Sequence, residues 1–316
     1  RRQRQMCIRD RGELACRTIG QVGDKGNYGV EYVLRDVLEG RDGKARRQRI
    51  ARGFYGRVVG GDNSEPEDGL DVVTTLDLEM QDVADRALRR QLEAQNALWG
   101  TALVMEVATG DLLAMANLSR TKSGAYAEVK NHALSSRMEP GSTFKLAALL
   151  ALVDDAGMSL DETFDTGNGA RVKVGRTTVQ DSHGLPPLNL KDAVAHSSNV
   201  FFARAVYETY KDDPERYVDY LRHLHLDRTV GLEEFGAVAP IFPAPGMKIW
   251  YPDVSIVNMG YGYAIELTPL HTLTLYNAVA NDGCMVAPRL VREIRRGGEV
   301  VERPERRVLV DKICSS

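Results

Sequence analysis

The sequence has no hydrophobic run longer than the eight residues at 146–153, far short of the roughly 20 needed to cross a bilayer as a helix. Its first residues are polar and basic and do not read as a secretory signal peptide. Cysteine is scarce and scattered. Cys7, Cys16, Cys284 and Cys314 form no Cys-x-x-Cys pair and have no paired histidines, which argues against both a zinc site and a disulfide framework. An excess of one charge is missing too: 41 basic against 44 acidic residues leave a net charge of −3, which argues against a dedicated nucleic-acid binder. There is no internal repeat and no low-complexity tract. What remains is the composition of a globular protein, 43% hydrophobic and 27% charged, with enough length in 316 residues for two domains or for one large domain and an arm.

Residues 1–69 are rich in Arg and Gly. The stretch 41–57 holds seven basic residues (Arg41, Lys44, Arg46, Arg47, Arg49, Arg52 and Arg57) against one acid, Asp42. Such a run usually forms a solvated loop or strand face, and binding to anionic lipid or an acidic partner is the minority reading. Residues 60–69 are acidic and turn-rich, the best linker in the chain. Beyond them a compact α/β pattern begins. Residues 71–75 have strand composition, and Asp77 can cap a helix with apolar positions Met80, Val83, Ala84, Ala87, Leu88 and Leu92. Residues 101–107 and 112–116 read as a hairpin about Thr109-Gly110-Asp111. Asp213-Pro214 and Thr268-Pro269 each place a capping residue before a first-turn proline and predict two further helices. Residues 290–294 and 299–301 predict a last hairpin about Gly297-Gly298. Strand, helix and hairpin in this order imply an antiparallel sheet with helices on its faces, an α+β arrangement without repeated βαβ units.

The chemistry concentrates at Glu139-Pro140-Gly141-Ser142-Thr143-Phe144-Lys145. Pro140 and Gly141 interrupt what precedes them, and the apolar residues 146–153 predict a buried helix. Ser142 then sits at a helix N-terminus, where free N–H groups favour developing negative charge, and Lys145 returns to the same face one turn later. A hydroxyl and an amine so placed can serve as nucleophile and base, and burial favours the neutral amine. The bland alternative is an N-cap serine and a solvated first-turn lysine. With 13 serines and 10 lysines, one Ser-x-x-Lys pair is expected by chance about 0.4 times, and a decoy occurs at Ser119-Arg120-Thr121-Lys122 in a stretch that reads as loop.

A second candidate lies at Ser197-Ser198-Asn199, the polar joint between two short predicted helices. A serine there can relay a proton, and an asparagine amide can orient a lysine or a substrate amide. Taken alone, capping of the following helix by Ser198 or Asn199 is the stronger reading. The scattered histidines, His132 and His196 among them, read as structural residues rather than metal ligands.

Ser142-Thr143-Phe144-Lys145 and Ser197-Ser198-Asn199, in this order, resemble the penicillin-binding proteins. Around them, Met138-Glu139-Pro140-Gly141 is similar to the approach to that family's central helix. Asp71-Val72-Val73-Thr74-Thr75-Leu76-Asp77 with Gln81 is similar to the start of its transpeptidase domain. Gly260-Tyr261-Gly262 with Leu267-Thr268-Pro269-Leu270 is similar to its glycine loop and the helix after it. Arg17-Thr18-Ile19-Gly20, Gly29-Val30-Glu31 and Leu38-Glu39-Gly40 resemble the non-catalytic pedestal of the class B group, with the division-specific branch nearest. The resemblance implies a pedestal and linker over 1–69 and a transpeptidase domain over 70–316. Arg1–Arg11 matches nothing in the family, resembles sequencing-adapter read-through, and is treated as artefactual.

The resemblance further implies acyl transfer from the D-Ala-D-Ala end of peptidoglycan stem peptides, cross-linking them during septal wall synthesis. Ser142 would be the nucleophile, Lys145 its base, Ser197 the proton relay and Asn199 the holder of peptide and lysine. Gly260, Tyr261 and Gly262 would bind substrate, and no cofactor or metal is called for. The implied partners are stem peptides, β-lactam antibiotics, and a septal glycosyltransferase with other division proteins. The implied location is the bacterial cytoplasmic membrane, with the catalytic domain on its outer side. Two departures stand out. No Lys-[Ser/Thr]-Gly follows residue 199, since Lys122-Ser123-Gly124 precedes Ser142 and reads as loop. The third motif and its cleft-lining strands are therefore expected past Ser316, leaving the 316 residues with weak or no activity alone. A membrane helix is likewise expected upstream. A β-lactam sensor or non-catalytic scaffold is the first alternative, and a serine β-lactamase is disfavoured because no glutamate loop can be assigned to deacylation.

Overall fold

The computed structural model describes residues 12–23, 26–44, 47–51, 54–57 and 64–315. Residues 1–11, Arg46 and Arg52 of the basic run, and 60–63 of the linker lie outside the described residues. The N-terminal part comprises short helices Cys16–Ile19, Gly29–Val33 and Arg35–Leu38 and the antiparallel pair Arg47–Ala51 with Phe54–Arg57. The described half of the expected linker is tied down. It runs antiparallel to 41–44, with Arg41 N donating to Glu67 O at 2.8 Å and Lys44 N to Ser64 O at 2.9 Å.

Among the described residues all ladder pairings are antiparallel, yet the expected single sheet is two three-stranded sheets sewn together. Asp71–Thr74 pairs with Val291–Arg296, which also pairs with Glu299–Glu302; Trp99–Met105 pairs with Leu112–Arg120, which pairs with Tyr126–Ala127. The seam is a parallel bridge between Asp111 and Arg289. Thr75 spans it, its hydroxyl donating to Leu112 O (2.7 Å) and Arg289 O (3.0 Å). The Asp111 carboxylate holds Arg289 at 2.6 Å on the same line. The decoy Ser119-Arg120 forms the end of a strand rather than a loop, and Ser119 Oγ lies 2.7 Å from His132 Nε2.

Ala114, Met115 and Ala116 are consecutive and fully buried, so both faces of their strand are covered. Helix Leu78–Gln95 covers one face. Asp77 caps it as expected, accepting from Glu79 N at 3.0 Å and Met80 N at 2.9 Å. Its buried stripe differs from the expected one: Met80 and Val83 are exposed, while Gln81 is 1% exposed and accepts from Met115 N at 2.7 Å. An amide that completes a strand's hydrogen bonding takes the place that periodicity assigns to methionine. Helices His132–Ser135 and Pro269–Ala280 pack beside the same hairpin.

The larger core surrounds helix Asn199–Tyr210, where Val200, Phe201, Phe202, Ala203, Ala205 and Val206 are fully buried. A helix with so wide an apolar face must be covered by several others. Its neighbours include helix Lys145–Leu150, Pro214–His223 and Ser255–Met259. Asp213 caps the Pro214 helix through Arg216 N. Thr268 does not cap the Pro269 helix; its hydroxyl sits 2.7 Å from His271 Nδ1. Among the described residues no helix is long and apolar enough to cross a membrane.

One close approach brings the two ends of the fold to the Ser142 turn. Met138 and Leu267 exchange backbone bonds of 3.0 and 2.9 Å, and Gly141 N donates to Gly262 O at 2.9 Å. Gly262 has φ +91°, and a Cβ there would stand 1.9 Å from Gly141 O. Gly262→Ala therefore combines an unfavourable backbone, worth about 1–3 kcal/mol, with a backbone clash. It should lower the denaturation midpoint; a midpoint equal to wild type would show that the two glycines are not in contact.

His271 is 1% exposed, with Nδ1 facing Thr268 and Nε2 3.0 Å from Arg228 O; burial pushes its protonation down to about pH 4, from an ordinary 6.5. The unfolded chain thus takes up this proton first, so stability held above pH 6.5 is lost as pH falls towards 4. His271→Gln should flatten that slope in equilibrium denaturation, and an unchanged slope would exclude His271 as its source.

Candidate active site

Three short elements deliver the site. Residues Gly141–Phe144 form a 3₁₀ turn that leads into helix Lys145–Leu150. In 3₁₀ geometry residues i and i+3 eclipse, so Ser142 and Lys145 stand directly over one another. Gly141 opens the turn at φ +55°. Tyr276 steadies it from the Pro269 helix, its hydroxyl donating to Thr143 O at 3.0 Å. The third element is the corner between helices Leu190–Ala195 and Asn199–Tyr210.

Lys145 Nζ is where they meet. It donates to Ser142 Oγ at 3.2 Å, Ser197 O at 2.5 Å, Ser197 Oγ at 3.1 Å and Asn199 Oδ1 at 2.7 Å. Lys145 is 6% exposed, whereas Ser142 and Ser197 are open to solvent. Burial pulls the lysine down from 10.5 to about 8, against the opposing pull of the Asp181 carboxylate. About one such lysine in ten is neutral at pH 7, against about one in 3,000 for an ordinary lysine. The Ser142 N–H, in the first turn, has no acceptor within its own helix and faces the same side as developing negative charge would.

All four residues expected to carry the chemistry, Ser142, Lys145, Ser197 and Asn199, thus gather around one amine. The capping alternative for the second motif is also real, and it belongs to a different residue: Ser198, fully buried, accepts from Phe201 N at 3.0 Å. That frees Ser197 and Asn199 on either side of it. Gly260, Tyr261 and Gly262, expected to touch substrate, lie beside the nucleophile turn, with Gly262 O accepting from Gly141 N. Gly260 and Gly262 are buried, and Tyr261 is half-buried with its hydroxyl 3.1 Å from Asn258 Oδ1. Gly262 is backed against Gly141 and Gly260 against Phe202 O.

Three contributors escaped the sequence reading. Asp181, 7% exposed, accepts from Ser198 Oγ, Asn199 N and Val200 N. Glu139, quoted only as part of the motif, accepts from Ala264 N at 3.0 Å and ties the turn to the glycine loop. Tyr276 is the third. Asp181 and Tyr276 lie 39 and 134 residues from Ser142 without any motif of their own, so only three-dimensional pairing reveals them. Among the described residues no three His, Cys, Asp or Glu side chains are grouped to hold a metal ion. His132 instead stacks on Trp99 at 4.2 Å between the hydroxyls of Ser119 and Ser136.

Comparison with known proteins agrees with this geometry. The chain is 30% identical over 298 residues to penicillin-binding protein PbpB of Mycobacterium tuberculosis, covering 89% of this chain and 42% of that protein. It is 27% identical over 286 residues to the probable peptidoglycan D,D-transpeptidase PenA of Neisseria meningitidis, covering 87% and 47%. The chain thus spans a little under half the length of these curated relatives. A crystal structure of penicillin-binding protein 3 from Mycobacterium tuberculosis, complexed with ampicillin, superposes with a TM-score of 0.78 at 26% identity, over 96% of this chain and 64% of that one. Residues 100–312 match the penicillin binding protein transpeptidase domain, and they include all four residues around the Lys145 amine. The chain belongs to the penicillin-binding protein transpeptidase family.

Proposed function

We propose that the protein is a peptidoglycan D,D-transpeptidase that forms an acyl-enzyme on Ser142. The observation that carries this reading is the Lys145 amine, desolvated and within hydrogen-bonding distance of Ser142 Oγ, Ser197 Oγ and Asn199 Oδ1. In its neutral form Lys145 accepts the Ser142 proton as Oγ attacks the carbonyl of the penultimate D-Ala. The oxyanion that forms faces the Ser142 N–H; one such donor is typically worth about 3–4 kcal/mol in the transition state. The proton held by Lys145 passes by way of Ser197 Oγ, 3.1 Å away, to the departing D-Ala nitrogen. The C–N bond breaks and the acyl group stays on Ser142. An amine from a neighbouring stem peptide then attacks, gives its proton to the same pair, and releases Ser142 as the cross-link forms. Asn199 holds Lys145 through its carbonyl and keeps its amide for the donor peptide. β-Lactams enter the same path by offering their ring carbonyl to Ser142.

The division-specific resemblance extends the proposal to septal wall synthesis on the outer side of the cytoplasmic membrane, alongside a glycosyltransferase and other division proteins. Depletion of the gene product in growing cells should then produce filaments without septa. Cells that instead lose rod shape while still dividing would place the protein in wall elongation.

Labelling the full-length protein with a fluorescent penicillin tests the chemistry. A stable covalent label on Ser142 is expected, absent in Ser142→Ala. No label on wild type would refute the acyl-enzyme, and a label lost within seconds would identify a hydrolase. Lys145→Ala should slow labelling by about 10²–10⁴-fold, the usual contribution of a positioned base; an unchanged rate would remove Lys145 from that role. Because the neutral amine is the base, labelling should rise about tenfold per pH unit below pH 8 and level off above it. A profile flat from pH 6 to 9 would contradict this.

A further inference from the structure

We propose that Asp181 is the positioning residue of this site: its buried carboxylate holds the corner Ser197-Ser198-Asn199 so that the corner's oxygens converge on Lys145. The inference rests on the reading of Ser142 and Lys145 as nucleophile and base.

The corner needs a restraint. Ser197 has φ +51°, a left-handed conformation that disfavours any residue with a Cβ. Three of the four oxygens around Lys145 come from Ser197 and Asn199, so relaxation of that φ would carry them away from the amine. Asp181 takes a hydrogen bond from Ser198 Oγ at 2.7 Å, from Asn199 N at 2.5 Å and from Val200 N at 3.2 Å. A simple capping role does not account for this. The helix cap is already supplied by Ser198, whose oxygen accepts from Phe201 N. Asp181 instead takes the two N–H groups immediately after the corner, together with the hydroxyl between Ser197 and Asn199. Its burial is tolerable because three donors and the positive end of a twelve-residue helix face it.

The same carboxylate acts on Lys145 by charge. It favours the ammonium form and opposes burial, which favours the amine. The other charged groups around the site point elsewhere. Glu139 is engaged with Ala264 N on the far side of the nucleophile turn. On the Asn199 helix, Arg204 turns to Asp165 and Tyr207 to Asp253. Lys173 and Arg176 on the neighbouring hairpin are exposed. His183 and His196 are exposed, their rings 6.5 Å apart, and Lys191 and Asp192 on the preceding helix are exposed as well. Asp181 is thus both the clamp on the lysine's acceptors and the counterweight to its desolvation.

The test measures labelling rate against pH for full-length wild type, Asp181→Asn and Asp181→Glu, together with an NMR titration of the Lys145 side chain, which needs no substrate. Asp181→Asn should reduce the plateau rate about 10–100-fold, as misplacement by about 1 Å does. It should also move the acid limb and the lysine titration to lower pH. Asp181→Glu keeps the charge at a different reach, so its limb should stay in place while its plateau falls. A reduced plateau with limb and lysine titration both unmoved in Asp181→Asn would make Asp181 a fold-stabilising residue only and overturn the proposal. So would a wild-type plateau in either variant, and Asp181→Glu serves alone if Asp181→Asn does not fold. If wild type takes no label at all, the acyl-enzyme reading fails separately. The lysine titration then decides Asp181: displacement in Asp181→Asn sustains its role, and none overturns it.

Discussion

The structure depends on holding one amine in a place where it is costly to be charged. Lys145 is nearly excluded from water, yet it is offered four oxygen acceptors, a set that would suit an ammonium. These influences oppose each other. Desolvation favours the neutral form, and the acceptors together with the Asp181 charge favour the protonated one. Desolvation prevails by enough to leave the lysine at about 8 rather than 10.5, so both protonation states are accessible around neutral pH. A base must be able to take a proton and then give it up, and a lysine displaced too far in either direction does only half of that.

Much of the fold serves this balance. The helix that starts at Asn199 buries most of its surface, Arg204 and Glu208 aside, so packing against the elements around it fixes its axis and the position of its first residue. The glycine loop does the equivalent for Ser142. With Gly262 pressed against Gly141 and Glu139 tied to Ala264, the 3₁₀ turn has little room to rewind into an α-turn. The two clamps, one under each motif, come from opposite directions and share no residue. The distance between Ser142 and the corner is set by the core together with the Lys145 amine, which bonds directly to Ser197 and Asn199.

How much of this the sequence shows follows from the range of each interaction. Asp77 and Asp213 cap helices through donors two or three residues away, and the hairpin about Gly110 closes within a few residues; such features are legible because they are local. The four residues around Lys145 were legible for another reason, since their order and spacing resemble a known family. The clamps were not. The strand at 71–74 finds its partner at 291–296, Gln81 displaces Met80 from the core to complete a distant strand, and Thr268 turns from its cap to His271. In each case a polar group satisfies a partner that linear periodicity does not register. The same blindness hides the contact between Gly262 and Gly141. A glycine-rich loop looks alike in sequence whether its closeness is to a ligand or to backbone.

The 3₁₀ turn also resolves a conflict between nucleophile and base. The serine must be exposed to meet a large polymeric substrate, and the lysine must be buried to lose its proton. On a regular α-helix, residues three apart are offset by about 60° around the axis, so one can face solvent only if the other faces partly away from it. In a 3₁₀ turn they eclipse, and depth along the axis does the separating: Ser142 lies at the open end and Lys145 one turn deeper, in line with it. The price is a strained entry, met by a glycine at φ +55° and by the brace of a second glycine behind it. Pro140 and Gly141 before the serine, and an unbroken apolar run after the lysine, are thus the physical requirements of a Ser-x-x-Lys pair that works by depth. The decoy at Ser119 has neither and lies at the end of a strand.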